Sequence, residues 1–130
     1  MALDVGLLRS SFEIAIERNP NLTGRFYDVL FERHPEAKPL FGRNGRSQQE
    51  QMLAEALVAV MDHLEDAPWL EQTLRALGER HRGYGVTRPM YDWVGDALVT
   101  ALAESNGPEW SPAVRAQWIE AYGAIVAMMN

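Results

Sequence analysis

Leu77-Gly78-Glu79-Arg80-His81-Arg82-Gly83-Tyr84-Gly85-Val86 is the stretch on which the reading of this chain turns. Leu70, Leu74 and Leu77 approach it at helical spacing, and His81 lies four residues further along the same line. Glu79, Arg80 and Arg82 fall on other faces, so an imidazole points where three leucines point. Two glycines follow and permit a sharp turn away from the helix. Periodicity alone leaves three readings of His81 open. Its ring bonds a backbone carbonyl, or it is partly exposed, or it is a ligand to a metal or cofactor, imidazole being the commonest protein metal ligand.

Working outward, the same spacing recurs along the chain. Residues 4–18 align Val5, Leu8, Phe12 and Ile16. Residues 22–34 align Phe26, Tyr27, Leu30 and Phe31. From about 47 to 64 the stripe is Met52, Leu53, Ala56, Leu57, Val60 and Leu64, and a shorter helix follows Pro68. Tyr91, Val94, Leu98 and Leu102 align over about 89–104, and Val114, Trp118, Tyr122, Ile125 and Met129 over roughly 112–129. Ser111-Pro112 is a start signal, a capping hydroxyl followed by a first-turn proline. Breaks fall at Asn19 to Asn21, Pro35 to Pro39, Gly42 to Gly45, Asp66 to Pro68, Thr87 to Pro89 and Asn106 to Pro108. No segment alternates with period two, so the expected fold class is all-α, with about six longer helices.

The chain's 130 residues suffice for one domain over 1–130 and are too few for two cores. A net charge of -6 argues against binding nucleic acid or an anionic membrane through charge neutralisation. With no cysteine, disulfides, thiolate zinc sites, iron–sulfur clusters and thiol nucleophiles are excluded. No run of 18 apolar residues exists, and Met1 to Arg18 mixes charge into its apolar pattern, unlike a signal peptide. A reducing, cytoplasmic setting is expected. Of the other histidines, His34 reads as structural beside Pro35, and His63 falls off the main stripe and reads as a surface residue. A lone histidine cannot build a zinc site, which takes three or four protein ligands. No serine or threonine has a credible hydrolytic partner. Haem iron needs only one protein ligand, because the porphyrin supplies four, and an apolar helical domain is what haem requires.

Further segments carry a resemblance. Phe26-Tyr27-Asp28-Val29-Leu30-Phe31 is followed by His34-Pro35-Glu36, Pro39-Leu40-Phe41 and Gln49-Glu50-Gln51-Met52-Leu53. Leu77 to Val86, Tyr91-Asp92-Trp93-Val94-Gly95 and Ala121-Tyr122-Gly123 complete the series, in order over nearly the whole chain. Together they resemble the globin family, with bacterial single-domain haemoglobins and the haem domain of flavohaemoglobins nearest. The resemblance implies a globin fold of six to eight helices around one haem b, with His81 as the iron ligand. It implies that Phe41 stacks on the haem and that Tyr27 and Gln49 form a distal polar pair. By the same resemblance Leu53 lies over the iron, Leu57, Leu77, Val86 and Val94 line the pocket, and Tyr91 lies near His81. Arg43 and Arg80 read as surface charges, either of which could pair with a haem propionate, as guanidinium suits carboxylate. Met52 is expected in the core, and the Leu77 carbonyl is the expected acceptor for the second ring nitrogen of His81.

The implied function is reversible binding of O2, with NO and CO as further ligands. NO dioxygenase or weak peroxidase activity, a gas-sensor module and a haem-free structural domain are the competing readings. In the family, the tyrosine matching Tyr91 pairs with a glutamate late in the last helix. The sequence stops at Asn130, ahead of that position, which weakens the expectation of peroxidase-like chemistry and of efficient NO dioxygenation. No Gly-rich dinucleotide turn after a strand occurs, so a dioxygenase cycle would draw on a separate reductase. A monomer or homodimer is expected, with no nucleic acid or membrane partner.

Overall fold

The computed structural model describes residues 3–41 and 45–129, except the side chains of Leu40 and Phe41. Six α-helices are present: α1 (Val5–Arg18), α2 (Leu22–Arg33), α3 (Arg46–Asp62), α4 (Ala67–Gly83), α5 (Arg88–Asn106) and α6 (Pro112–Met129). Short 3-10 segments cover Pro35–Phe41 and Gly107–Glu109, and no strand occurs among the described residues. The all-α expectation holds.

Local chemistry sets several boundaries. Asp4 Oδ1 accepts from Leu7 N at 3.0 Å and caps α1. Asp66 Oδ1 accepts from Trp69 N at 3.3 Å, and Ser111 Oγ from Val114 N at 3.2 Å. Each satisfies an amide with no partner inside its helix, a cap usually contributing about 1 kcal/mol. Prolines 68, 89 and 112 sit in first turns, where the missing N–H costs nothing. Two sequence expectations need correction. The helix after Pro68 is not short: it runs 17 residues, as long as α3, because Asp66 caps it early and it continues to Gly83. The Pro35–Pro39 break is a 3-10 helix, a geometry that keeps proline's fixed φ.

The core forms where α2 and α1 pack against α5, and where α4 packs against α6. Leu8, Leu30 and Leu102 are fully buried, alongside Phe12, Phe26 and Trp118. Truncating one of these leucines to alanine would cost about 2–5 kcal/mol. A polar knot ties α1, α5 and α6 inside it. Trp118 Nε1 donates to Ser11 Oγ at 2.8 Å, and Asn106 Nδ2 donates to the Ser11 carbonyl at 3.1 Å. Exposed ion pairs, Arg25–Glu104 and Arg33–Asp96, flank the α2–α5 contact and add little, about 0–1 kcal/mol each. Three stripe residues depart from the core-facing expectation: Met52 is 49% exposed, Ile16 is 36% exposed, and Ala56 is exposed. Their helices are covered on fewer sides than the pattern implied, since α3 packs mainly against α2.

Candidate functional site

The site builds from the end of α4. His81 Nδ1 lies 2.8 Å from the Leu77 carbonyl oxygen one turn earlier, as expected from the sequence. A Schellman turn ends the helix. Val86 N donates to the His81 carbonyl and Gly85 N to the Arg82 carbonyl, each at 3.1 Å, and Gly85 sits at φ 86°. The left-handed conformation is why glycine stands there. Val86 is then carried back against the core. The histidine ring is half-buried and stacks near Tyr91, with centroids 6.3 Å apart and planes inclined by 19°.

A second layer holds this end in place. Gly78 meets α6 so closely that a Cβ there would lie 1.9 Å from the Met129 carbonyl oxygen. Arg82 Nη1 donates to the same carbonyl at 2.8 Å. Tyr122 donates its hydroxyl to the Tyr91 carbonyl at 2.5 Å. Burial, followed by nearby Tyr91 and Asp92, pushes the Tyr122 phenol well above its ordinary range. The Tyr91 hydroxyl is buried and has no hydrogen-bond partner among the described residues.

Across from α4, α2 and α3 bring Tyr27 and Gln49 together. The Tyr27 hydroxyl donates to the Gln49 backbone carbonyl at a long 3.5 Å. Tyr27 is buried among Phe26 and Phe31, at centroid distances of 4.9 and 5.7 Å. Burial, then the charge of Glu50, pushes its phenol up to about 12, with Arg46 opposing. Arg46 itself was not foreseen. Its Nη2 donates to the Gly24 carbonyl at 2.7 Å and to Asp28 Oδ1 at 2.5 Å, and its Nε to Glu50 Oε2 at 2.9 Å. It thereby ties the start of α3 to α2 and sets the position of Gln49. An arginine in a first turn looks like a solvated charge until α2 is seen opposite.

Leu53 and Leu57 on α3, Leu77 on α4, Val86, and Val94 on α5 are all half-buried against the core. α3 packs mainly on α2 and α4 mainly on α6, and neither packs extensively on the other. The chain thus leaves apolar side chains half-covered on helices that carry a histidine and a tyrosine–glutamine pair. Those residues suit a flat apolar group with one open ligand position, and haem is such a group. Arg80 is exposed beside His81. Arg43 and the side chain of Phe41 lie outside the described residues. His63 is not a surface residue: it is half-buried, its ring stacked on Trp69 at 3.8 Å and its Nδ1 2.8 Å from the Ala59 carbonyl oxygen. Trp69, from the next helix, covers it, a contact no single-helix pattern encodes. Among the described residues, no three His, Asp or Glu side chains gather as a metal-binding group, and no helix is long and apolar enough to cross a membrane.

Known proteins resemble this chain in sequence and in shape. The globin family profile matches residues 24–129. A flavohemoprotein of Bacillus subtilis is 27% identical over 123 residues, 93% of this chain and 31% of that protein. One from Bacillus anthracis is 29% identical over 123 residues, 93% of this chain and 30% of that protein. The chain therefore spans about a third of the length of these relatives. Among solved structures, an engineered carbene transferase derives from a Rhodothermus marinus protein provisionally named a nitric oxide dioxygenase. It superposes with a TM-score of 0.82 at 26% identity, covering 96% of this chain and 87% of that one. A Pseudomonas aeruginosa protein described as structurally highly homologous to a human hemoglobin gives 0.85 at 20% identity, over 96% and 94% of the two chains. The second of these shows the fold alone. With the family profile covering most of its length, this chain belongs to the globins, a family that binds small gases through haem.

Proposed function

We propose that residues 1–130 act as one globin unit that holds haem b between α3 and α4 and reversibly binds O2, with NO and CO as further ligands. The observation that carries this reading is the His81 ring. With Nδ1 2.8 Å from the Leu77 carbonyl oxygen, Nδ1 is assigned the proton and Nε2 keeps its lone pair for iron. When bound, haem supplies an iron position able to take a diatomic gas. The chain's own residues supply the rest. Leu53, Leu57, Leu77, Val86 and Val94, with Phe41, would cover apolar haem surface and exclude water. Arg80 and Arg43 would meet the propionates. The Tyr27 hydroxyl and the Gln49 carboxamide would donate to the gas. A Tyr27 phenol held up to about 12 keeps its proton, and so remains a donor, at neutral pH. A cytoplasmic monomer or homodimer fits this role.

The test begins with the colour of the purified protein. A Soret band and one haem per chain are expected, and His81→Gly should lose haem and recover it with added imidazole. Unchanged stoichiometry in His81→Gly would refute the ligand assignment. Tyr27→Phe should speed O2 release about tenfold or more, the effect of losing a donor to a charged acceptor.

A second reading, NO dioxygenation with electrons from a separate reductase, is favoured by the likeness to flavohemoproteins. Nitrate formed from NO under a steady reductant would separate it from gas carriage.

A further inference from the structure

A cavity of about 350 Å³ opens between α1 and α3, away from His81. Its floor is apolar. Phe12 and Met61 are buried there, while Ile16 and Val58 stay 36% and 44% exposed. Arg9 closes one end, its Nε donating to the Met61 carbonyl at 2.9 Å and its Nη1 bonding Glu65 at 3.2 Å. The rim carries Glu13, Glu17 and Asp62, and none of them forms an ion pair among the described residues.

The lining specifies its occupant. Two large aliphatic side chains left in water, at the base of a trough between helices, ask for apolar cover. Three unpaired carboxylates around them ask for positive charge, since like charges across an interface repel. A second copy brings the same acidic rim and a net charge of -6, so self-association through this face sets acid against acid. Anionic lipid and nucleic acid meet the same repulsion. On this ground we propose that the α1–α3 groove docks a basic amphipathic helix of a partner protein. Aliphatic side chains at i and i+4 would lie on Ile16 and Val58, with lysine or arginine on the flanks facing Glu13, Glu17 and Asp62.

The experiment uses amide shift mapping by NMR on the purified 14.7 kDa chain. The probes are two synthetic helices of about 14 residues, close to four turns. One carries leucine anchors flanked by lysine, and its twin carries glutamate in place of lysine. The lysine helix should shift signals from residues 12–17 and 58–62, and the glutamate twin should not. Glu13→Lys with Glu17→Lys should weaken binding by about tenfold. Val58→Ser, at an exposed position, should weaken it about fivefold. Glu71→Lys with Glu79→Lys, on α4, should change it less than about twofold. Shifts spread over every acidic face, or an equal loss in the α4 variant, would overturn the proposal. So would self-association abolished by Val58→Ser, which assigns the groove to a second copy. Saturation of the groove by dodecylammonium, with the lysine helix failing to bind, would assign it to a small amphiphile and overturn it too.

Discussion

The two sides of the proposed haem site are built from different materials. On the His81 side, bonds to backbone carbonyls and close helix contact dominate: the Schellman turn, the Leu77 carbonyl, and Gly78 against Met129. On the Tyr27 side, a long 3.5 Å hydrogen bond joins the pair, and an exposed arginine cluster ties α3 to α2. Backbone bonds hold an atom in one place, whereas exposed ion pairs are weak and screened by salt. The contrast gives rigidity to the proposed iron ligand and adjustability to the proposed gas-contacting residues.

The contrast can be broken most severely at Gly78. Gly78→Val should cost roughly 3 kcal/mol and lower the thermal midpoint, because its Cβ would enter the space of the Met129 carbonyl. A midpoint equal to wild type would show that the α4–α6 contact yields easily. Next comes Tyr27 at high pH. Its phenol is raised on folding to about 12, so it contributes stability below pH ~10 that is lost as pH rises through ~12. Urea titrations across that window should lose roughly 2–3 kcal/mol from this group, and Tyr27→Phe should flatten the loss. Equal slopes in both proteins would remove Tyr27 from the account. Tyr122→Phe deletes the bond to the Tyr91 carbonyl, and about 1 kcal/mol of stability should go with it. Smallest is Arg46→Gln, about 0.5 kcal/mol and less in high salt, since its ion pairs with Asp28 and Glu50 are partly exposed. Its signature is faster amide exchange in residues 46–50 with residues 77–86 unchanged; faster exchange on both sides would erase the distinction.

Much of this was legible in the order of residues. The 3.6-residue period located all six helices, and the line from Leu70 through Leu77 pointed His81 inward. Gly85 announced its turn because only a residue without a side chain accepts φ 86° freely. Periodicity says which face is apolar but not what covers it. Ile16 and Met52 therefore looked buried, although α1 and α3 leave them in water. Arg46 and Asp28 lie 18 residues apart, so their pairing appears only once α2 and α3 are set side by side. Gly78 reads as a weak helix former, and its purpose becomes visible only against Met129.

The turn after His81 also bears on the order of folding. The bonds of the ring and of the turn itself span five residues or fewer: Leu77 to His81, Arg82 to Gly85, His81 to Val86. Contacts so close in sequence form with a single helix, on about the microsecond timescale. The Tyr27–Gln49 pair spans 22 residues and waits for two helices to meet. The ring is expected to be aimed before the opposite wall arrives, so folding kinetics should show higher φ-values across 77–86 than across 46–57. A nascent chain would then present the proposed iron ligand while the site is still open on one side, when a disc as large as haem can still enter.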